Sequence, residues 1–256
     1  MKRFSNVKIY RKFAQLYASG DFPEFSAHMA QLLPSLLDKF QMQPKTILDL
    51  ACGEGTFAVA MVKAGFKVTG IDRSSEMLDL ARKKAQAAGV TIPFYEMDMR
   101  HFELNTTFDL VTCWFDSLNY LLALNDLERA FNRVARHLES GGHFVFDMNT
   151  IYWLTTLAQR YAVTLERETE SIFQVHRHSY DEAARIATFE ITGFIKDNSC
   201  WRRQVDETHH ERGYTIEEIR SCLNNAGLTE IACYGNLEES IPYAPESKRV
   251  WFITQK

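Results

Sequence analysis

The sequence predicts an α/β fold, a mostly parallel sheet with helices on both faces, formed by one domain over residues 1–256. Three observations carry this. The stretch TILDLACGEGTFAVAMVKAGFKVTGID at 46–72 reads as strand, glycine turn, helix and strand, which is one βαβ unit. Apolar runs alternate with helical periodicities as far as residue 150, the pattern of further such units. From 163 onward, β-branched and aromatic residues alternate with polar ones, which marks an antiparallel insertion.

In chain order, 6–40 reads as helices broken near 20–23, with Tyr10, Phe13, Ala14 and Tyr17 at helical spacing on one apolar face. Ile47-Leu48-Asp49-Leu50 is short enough for a strand buried on both faces. The turn Ala51-Cys52-Gly53-Glu54-Gly55 opens a helix with Phe57, Ala60, Met61 and Ala64 inward, and Gly65 ends it in a left-handed conformation. The second strand, 67–71, stops at Asp72. Ser74-Ser75-Glu76 caps a helix reaching 88, with Met77, Leu78 and Ala81 inward. A third strand and its exit occupy 94–99, a fourth strand 108–113, and an amphipathic helix 126–138. Ser140-Gly141-Gly142 then turns the chain into a fifth strand at 143–147.

Beyond it, 172–180, 186–195 and 200–207 alternate as strands, with turns at Asp181-Glu182 and Lys196-Asp197-Asn198. A helix over 215–226, capped by Gly227, precedes strands at 229–234 and 249–254. Four segments result: a helical cap (1–45), a core (46–150), an antiparallel insertion (163–212) and a closing helix with strands (213–256).

Composition excludes several classes. A net charge of −4 with no run of Lys or Arg leaves no footprint for nucleic acid. Five cysteines without a C-x-x-C read as reduced thiols, and no apolar segment is long enough to cross a bilayer, so a cytoplasmic protein is expected.

The 46–72 unit points to nucleotide binding. Gly53 and Gly55 let the backbone lie against a ligand at a helix N-terminus, and Asp72 sits where a carboxylate accepts ribose hydroxyls. Two ligand classes use this geometry. Gly53-x-Gly55-x-x-Ala58 also fits the dinucleotide fingerprint, which leaves an NAD(P)-dependent oxidoreductase open. Asp49 and Glu54, however, would repel a diphosphate and favour S-adenosyl-L-methionine, which carries a sulfonium and an ammonium and no phosphate.

LDLACGEG, GIDRSSEMLDLARKKA and the strands after them resemble the class I S-adenosylmethionine-dependent methyltransferases. The resemblance implies a Rossmann-like seven-stranded sheet whose last strand is antiparallel, with Asp49, Ala51, Gly53, Gly55 and Asp72 at the cofactor. Met77 would wall the adenine, Asp98 would bond its amino group, and the Met99 N–H would meet the ring. The Tyr-x-x-Phe-Ala-x-x-Tyr run resembles the N-terminal cap of the small-molecule members and sets Tyr17 at the methionine end; Tyr10 is read as cap or core. Ala18 stands where that group usually has Asp. The insertion resembles the acceptor-covering sheet of the same group.

Trp114 and Phe115, leaving the fourth strand, would wall the cofactor, or else belong to the core, with Asp116 as a helix cap. Asp116, Tyr120 and a flap histidine, His176, are the candidate catalytic proton acceptors. His176, His178, His209 and His210 gather in the insertion, but no Cys or carboxylate completes a ligand spacing, so they read as solvated histidines and no metal is expected. Nucleic-acid amino-methyltransferases carry Asn/Asp-Pro-Pro-aromatic after the fourth strand, where Trp114-Phe115-Asp116-Ser117 stands here. The expected acceptor is therefore a small molecule, methylated by in-line displacement with S-adenosyl-L-homocysteine leaving; a protein side chain is the weaker alternative. A catalytically silent cofactor-binding module is the non-enzyme alternative, and the chain is expected to be a monomer or homodimer.

Overall fold

A computed structural model describes residues 9–197 and 200–256. The expected helix start at Asn6 and the turn residue Asn198 lie outside the described residues. Helices α1 (Phe13–Ser19) and α2 (Phe22–Lys39) come first, and Pro23 lies in the first turn of α2, where its missing N–H has no intrahelical partner to lose. Strands β1 (Thr46–Leu50), β2 (Lys67–Asp72), β3 (Phe94–Glu96), β4 (Phe108–Cys113) and β5 (Leu138–Asn149) alternate with three helices. These are α3 (Thr56–Lys63), α4 (Ser75–Ala87) and α5 (Leu124–His137). Then come α6 (Ile151–Arg160), β6 (Val163–Glu168), β7 (Ile172–Asp181), β8 (Ile186–Asp197) and β9 (Cys200–Arg212). Last are α7 (Ile216–Asn225), β10 (Thr229–Asn236), β11 (Ile241–Pro242) and β12 (Arg249–Gln255).

The main sheet has the order β11-β10-β12-β5-β4-β1-β2-β3. β1 to β5 pair in parallel, while β12 is antiparallel to both β5 and β10. The expected seven strands gain an eighth, β11, which ends on Pro242 at the sheet edge, where a missing N–H breaks no ladder. One face is covered by α5 and α7 through Leu127, Phe131, Ile219 and Leu223. The other is covered by α2, α3 and α4 through Leu33, Phe57, Met61 and Leu78.

Several local expectations shift. On α3 the buried residues are Phe57, Ala58, Val59 and Met61, whereas Ala64 is exposed, because α2 packs across this helix. Gly65 (φ +99°) and Gly227 (φ +75°) take the left-handed positions expected after their helices. α5 runs directly into β5, and Gly141 sits within that strand, where the pairing with β4 skips register between Phe108 and Leu110. Helix α6, capped by the Thr150 hydroxyl on the Trp153 N–H, was not anticipated.

The second sheet is an antiparallel meander, β6-β7-β8-β9. Its inner face holds α1: Phe13, Leu16 and Tyr17 pack with Ile191 and Val205 of this sheet and with Met77 of α4. The close approach is marked at Gly193, where a Cβ would stand 2.8 Å from Leu16 Cδ1.

Candidate active site

The C-terminal edges of β1, β2 and β4 open into one crevice, the location expected for ligands of an open α/β sheet. Counted to its open mouth it encloses about 900 Å³, and Ile9, Tyr10 and Tyr17 from the N-terminal segment roof it. The β1–α3 turn lies in the left-handed region at Ala51 (φ +60°), Gly53 (+56°) and Gly55 (+82°). A Cβ on Gly53 would reach 3.3 Å from Met77 Cε, so glycine keeps that wall open.

Asp72 is buried at the end of β2 and accepts the N–H groups of Gly53 (2.9 Å) and Ser74 (2.8 Å). Burial raises its carboxyl, and those two bonds oppose the rise. Asp49 accepts the Thr112 hydroxyl at 3.4 Å on one oxygen, and its other oxygen has no protein partner. Burial, with Asp72 and Glu54 adding negative charge, holds Asp49 well above the carboxylate range. Trp114 Nε1, also in the wall, is likewise buried without a partner. Glu54 departs from expectation. Its carboxylate is ion-paired with Lys84 of α4, so Asp49 and Asp72 are the acidic groups left to face a ligand, with Arg73 near Asp72.

Of the expected cofactor residues, Tyr17, Asp49, Ala51, Gly53, Asp72, Met77, Met99, Trp114 and Phe115 line the crevice, as does Tyr120 among the catalytic candidates. Gly55 stands behind the wall, where a Cβ would meet Ala81 Cβ at 3.0 Å; its work is to let α3 and α4 close on each other. Asp98 does not line the crevice. It is held by Arg100 through Nε (2.9 Å) and Nη2 (2.6 Å), in the loop that follows the short β3. Burial would raise this carboxyl, but the Arg100 bonds hold it below its ordinary value.

Asp116, in a left-handed conformation, is not a free base: its carboxylate binds Arg249 Nη2 at 2.9 Å. Arg249 also pairs with Asp147, which accepts the N–H groups of Phe115 (2.7 Å) and Asp116 (3.0 Å). Burial pushes Asp147 up to about 6 against the pull of Arg249. This network shapes the exit of β4. Glu211 beside it donates no charge to the site, since burial and the neighbouring Asp116 keep it well above the carboxylate range.

His176 is also displaced from its expected place. It is 7% exposed in the second sheet, under the rings of Phe13 and Phe22, and does not line the crevice. Burial pushes its imidazole down to about 4, so it is neutral and not a solvated histidine. A carboxylate does join it: Glu166 Oε1 lies 3.9 Å from His176 Nδ1.

The histidine behind the crevice wall is His209, buried against Tyr120 and Tyr10, which line it. Its Nδ1 is 3.1 Å from the Tyr120 hydroxyl, and its Nε2 is 3.2 Å from Glu207 Oε2. The Tyr120 hydroxyl is in turn 3.1 Å from that of Tyr10. With the carboxylate on Nε2–H, Nδ1 keeps a lone pair facing the phenol. Burial, then the nearby Tyr10 and acidic groups, keeps Tyr120 protonated far above its ordinary range. Burial would raise Glu207, but bonds from His209 and from the Lys12 and Phe13 N–H groups hold it low and charged. Reading 200–212 in steps of two would have found this chain, because Val205, Glu207, His209 and Glu211 share the inward face of β9.

A glycine turn at a parallel sheet edge, a carboxylate ending β2 and a buried acid with an unpartnered oxygen define an α/β protein whose crevice suits a nucleoside that carries positive charge. The comparisons agree. A family model described as a methyltransferase domain matches residues 47–142. A putative methyltransferase of Geobacillus sp. (strain WCH70) is 33% identical over 213 residues, 83% of this chain and 85% of the relative. A dTDP-3-amino-3,6-dideoxy-alpha-D-glucopyranose N,N-dimethyltransferase of Streptomyces fradiae is 27% identical over 201 residues, 77% of this chain and 75% of the relative. The crystal structure of an S-adenosylmethionine-dependent methyltransferase from Clostridium acetobutylicum ATCC 824 superposes with a TM-score of 0.81 at 26% identity, covering 97% of this chain and 99% of that one.

The chain belongs to the class I S-adenosylmethionine-dependent methyltransferases. The crevice fits that cofactor. The unpartnered oxygen of buried Asp49 lacks only a cation, and Asp72 can accept hydroxyl donors. The dinucleotide alternative falls away. Among the described residues, no helix is long and apolar enough to cross a membrane.

Proposed function

We propose that this protein methylates an amine or hydroxyl of a small-molecule acceptor, and that Tyr120, His209 and Glu207 carry away the acceptor's proton. The carrying observation is the unbroken chain of hydrogen bonds from the crevice to Glu207. S-adenosylmethionine, when bound, supplies an electrophilic methyl on its sulfonium for in-line displacement. Asp72 is assigned the ribose hydroxyls, Asp49 the positive charge, Met77, Met97 and Met99 the adenine walls, and Tyr17 the methionine end. Trp114 and Phe115 form the wall between cofactor and acceptor.

Tyr120 accepts the proton of the acceptor group as its own proton passes to His209 Nδ1. Glu207 then faces an imidazolium at 3.2 Å and stabilises it. This divides the work as a nucleophile–base–carboxylate arrangement does, with the acceptor in the nucleophile's place. The roof formed by Ile9, Tyr10 and Tyr17 excludes water, and alignment of donor and acceptor contributes about 7–11 kcal/mol to the barrier reduction. The activity named for the Streptomyces fradiae relative, dimethylation of an amino sugar, supports an amine acceptor. The net charge of −4 supports a partner that is not a nucleic acid, and five cysteines without a C-x-x-C support a cytoplasmic setting.

The test has two stages. Calorimetric titration with S-adenosylmethionine and with NAD establishes the cofactor. Transfer of a labelled methyl to a panel of amines and hydroxyl compounds, amino sugars included, then tests the chemistry. Cofactor binding with no label reaching any acceptor would favour a silent binding module instead.

A further inference from the structure

We propose that the second sheet carries a divalent transition-metal site formed by Glu166, His176 and His178, separate from the cofactor crevice. These three side chains offer one oxygen and two nitrogens whose ligand atoms all lie within 4.8 Å of one another. The sheet brings them together. His176 and His178 are two apart on β7 and so share a face, with ring centroids 6.2 Å apart. The β6–β7 register pairs Leu165 with Val175 and Arg167 with Gln174, which leaves Glu166 as the extra residue of a bulge. Bulges re-aim side chains, and this one sets the Glu166 carboxylate 3.9 Å from His176 Nδ1.

The outer partners of His178 and Glu166 suit ligating groups. His178 Nδ1–H donates to the Tyr161 carbonyl at 2.7 Å, which leaves its Nε2 lone pair for a ligand. The buried Gln174 side-chain N–H donates to His176 Nε2 at 2.8 Å, which puts the proton of the neutral ring on Nδ1, toward Glu166; a metal at Nδ1 takes that proton's place, with the Gln174 amide turned so that its oxygen accepts from Nε2–H. The Thr164 hydroxyl donates to the Glu166 carboxylate. Zinc bonds of about 2.0–2.2 Å to nitrogen and oxygen require ligand atoms a little over 3 Å apart, so modest inward rotation of Glu166 and His178 completes three sides of a tetrahedron. The Glu166 side chain is 30% exposed, which leaves water the fourth position. Two imidazoles select zinc, cobalt, nickel or copper over magnesium or calcium. A metal there would pin the edge strand β6 to β7. Arg167 on the same strand donates to the Ser19 hydroxyl at 3.1 Å, so the pin would steady the end of α1 as well.

The test uses the tag-free full chain, stripped with chelator and titrated with Co²⁺ and then Zn²⁺. The expected result is one saturable equivalent per chain, a visible Co²⁺ ligand-field band without thiolate charge transfer, displacement by Zn²⁺, and a metal-dependent rise in melting temperature. Glu166→Gln and His178→Ala, which leave the deeply packed His176 in place, should each weaken binding about 10–100-fold. Their metal-free melting temperatures and S-adenosylmethionine affinity serve as the folding control. The proposal is overturned by the absence of a saturable site, by a Co²⁺ spectrum showing thiolate ligands, or by a band unchanged in the folded Glu166→Gln/His178→Ala pair.

Discussion

His209 Nδ1 stands 3.1 Å from the hydroxyl of Tyr120, and Glu207 holds the far nitrogen of the same ring. If this chain removes the acceptor's proton, His209→Ala and Tyr120→Phe should lower kcat by about 10²–10⁴ while leaving S-adenosylmethionine affinity unchanged. Single-turnover assays with saturating cofactor separate the two. A full rate in both variants would remove the relay from the mechanism.

Asp72 ends β2 with its carboxylate in the crevice wall. Asp72→Ala should cost about 1–3 kcal/mol of cofactor binding, since charged hydrogen bonds to ribose hydroxyls are lost. Calorimetry reads this as a weakening of about 5–150-fold. An unaltered affinity would mean that the ribose is held elsewhere.

Asp49 makes cofactor binding depend on pH. Its carboxyl is raised in the free protein by burial and by Asp72 and Glu54, with Thr112 its single hydrogen-bond donor. A bound sulfonium and ammonium favour the charged form, so binding releases a proton wherever Asp49 is protonated beforehand. Affinity should rise with pH, by up to about tenfold per unit, and level off once the free carboxyl ionises. Without ligand the sign reverses: a raised folded pKa favours the protonated fold, so this group's contribution to stability is lost as pH climbs through the folded value. Proton release measured in buffers of different ionisation heat, absent in Asp49→Asn, checks both statements.

Arg249 bridges Asp116 and Asp147 and lies against the rings of Phe25 (4.9 Å) and Phe115 (5.6 Å). Arg249→Met should destabilise the fold by about 3 kcal/mol, the low end for a broken buried pair, because the guanidinium side chain keeps 18% exposure. Denaturant melts measure it, and the loss should shrink at acid pH as Asp147, already near 6, protonates.

The core was legible because its signals are local. Gly53, Gly55, Gly65 and Asp72 each mark a turn, a cap or a strand end within a few residues of the feature they create. Asp98, Asp116 and His176 stand apart from the crevice lining because their partners, Arg100, Arg249 and Phe22, are set by tertiary packing that spacing does not reveal. Glu54 is ion-paired through the same kind of packing with Lys84, thirty residues on and one helix away. His209 was noticed only as one of several flap histidines, although Glu207 two positions before it shares its face. Glu166 escaped because a bulge, invisible to simple alternation, brings it toward β7.

Glu207 accepts the N–H groups of Tyr10 (2.7 Å), Lys12 (2.6 Å) and Phe13 (3.0 Å) as well as the ring of His209. One pair of oxygens therefore both seats the leading segment over the crevice and readies the imidazole. Admission of ligands and readiness for chemistry hang on a single hinge-pin, and a neutral side chain at that point would slacken both together.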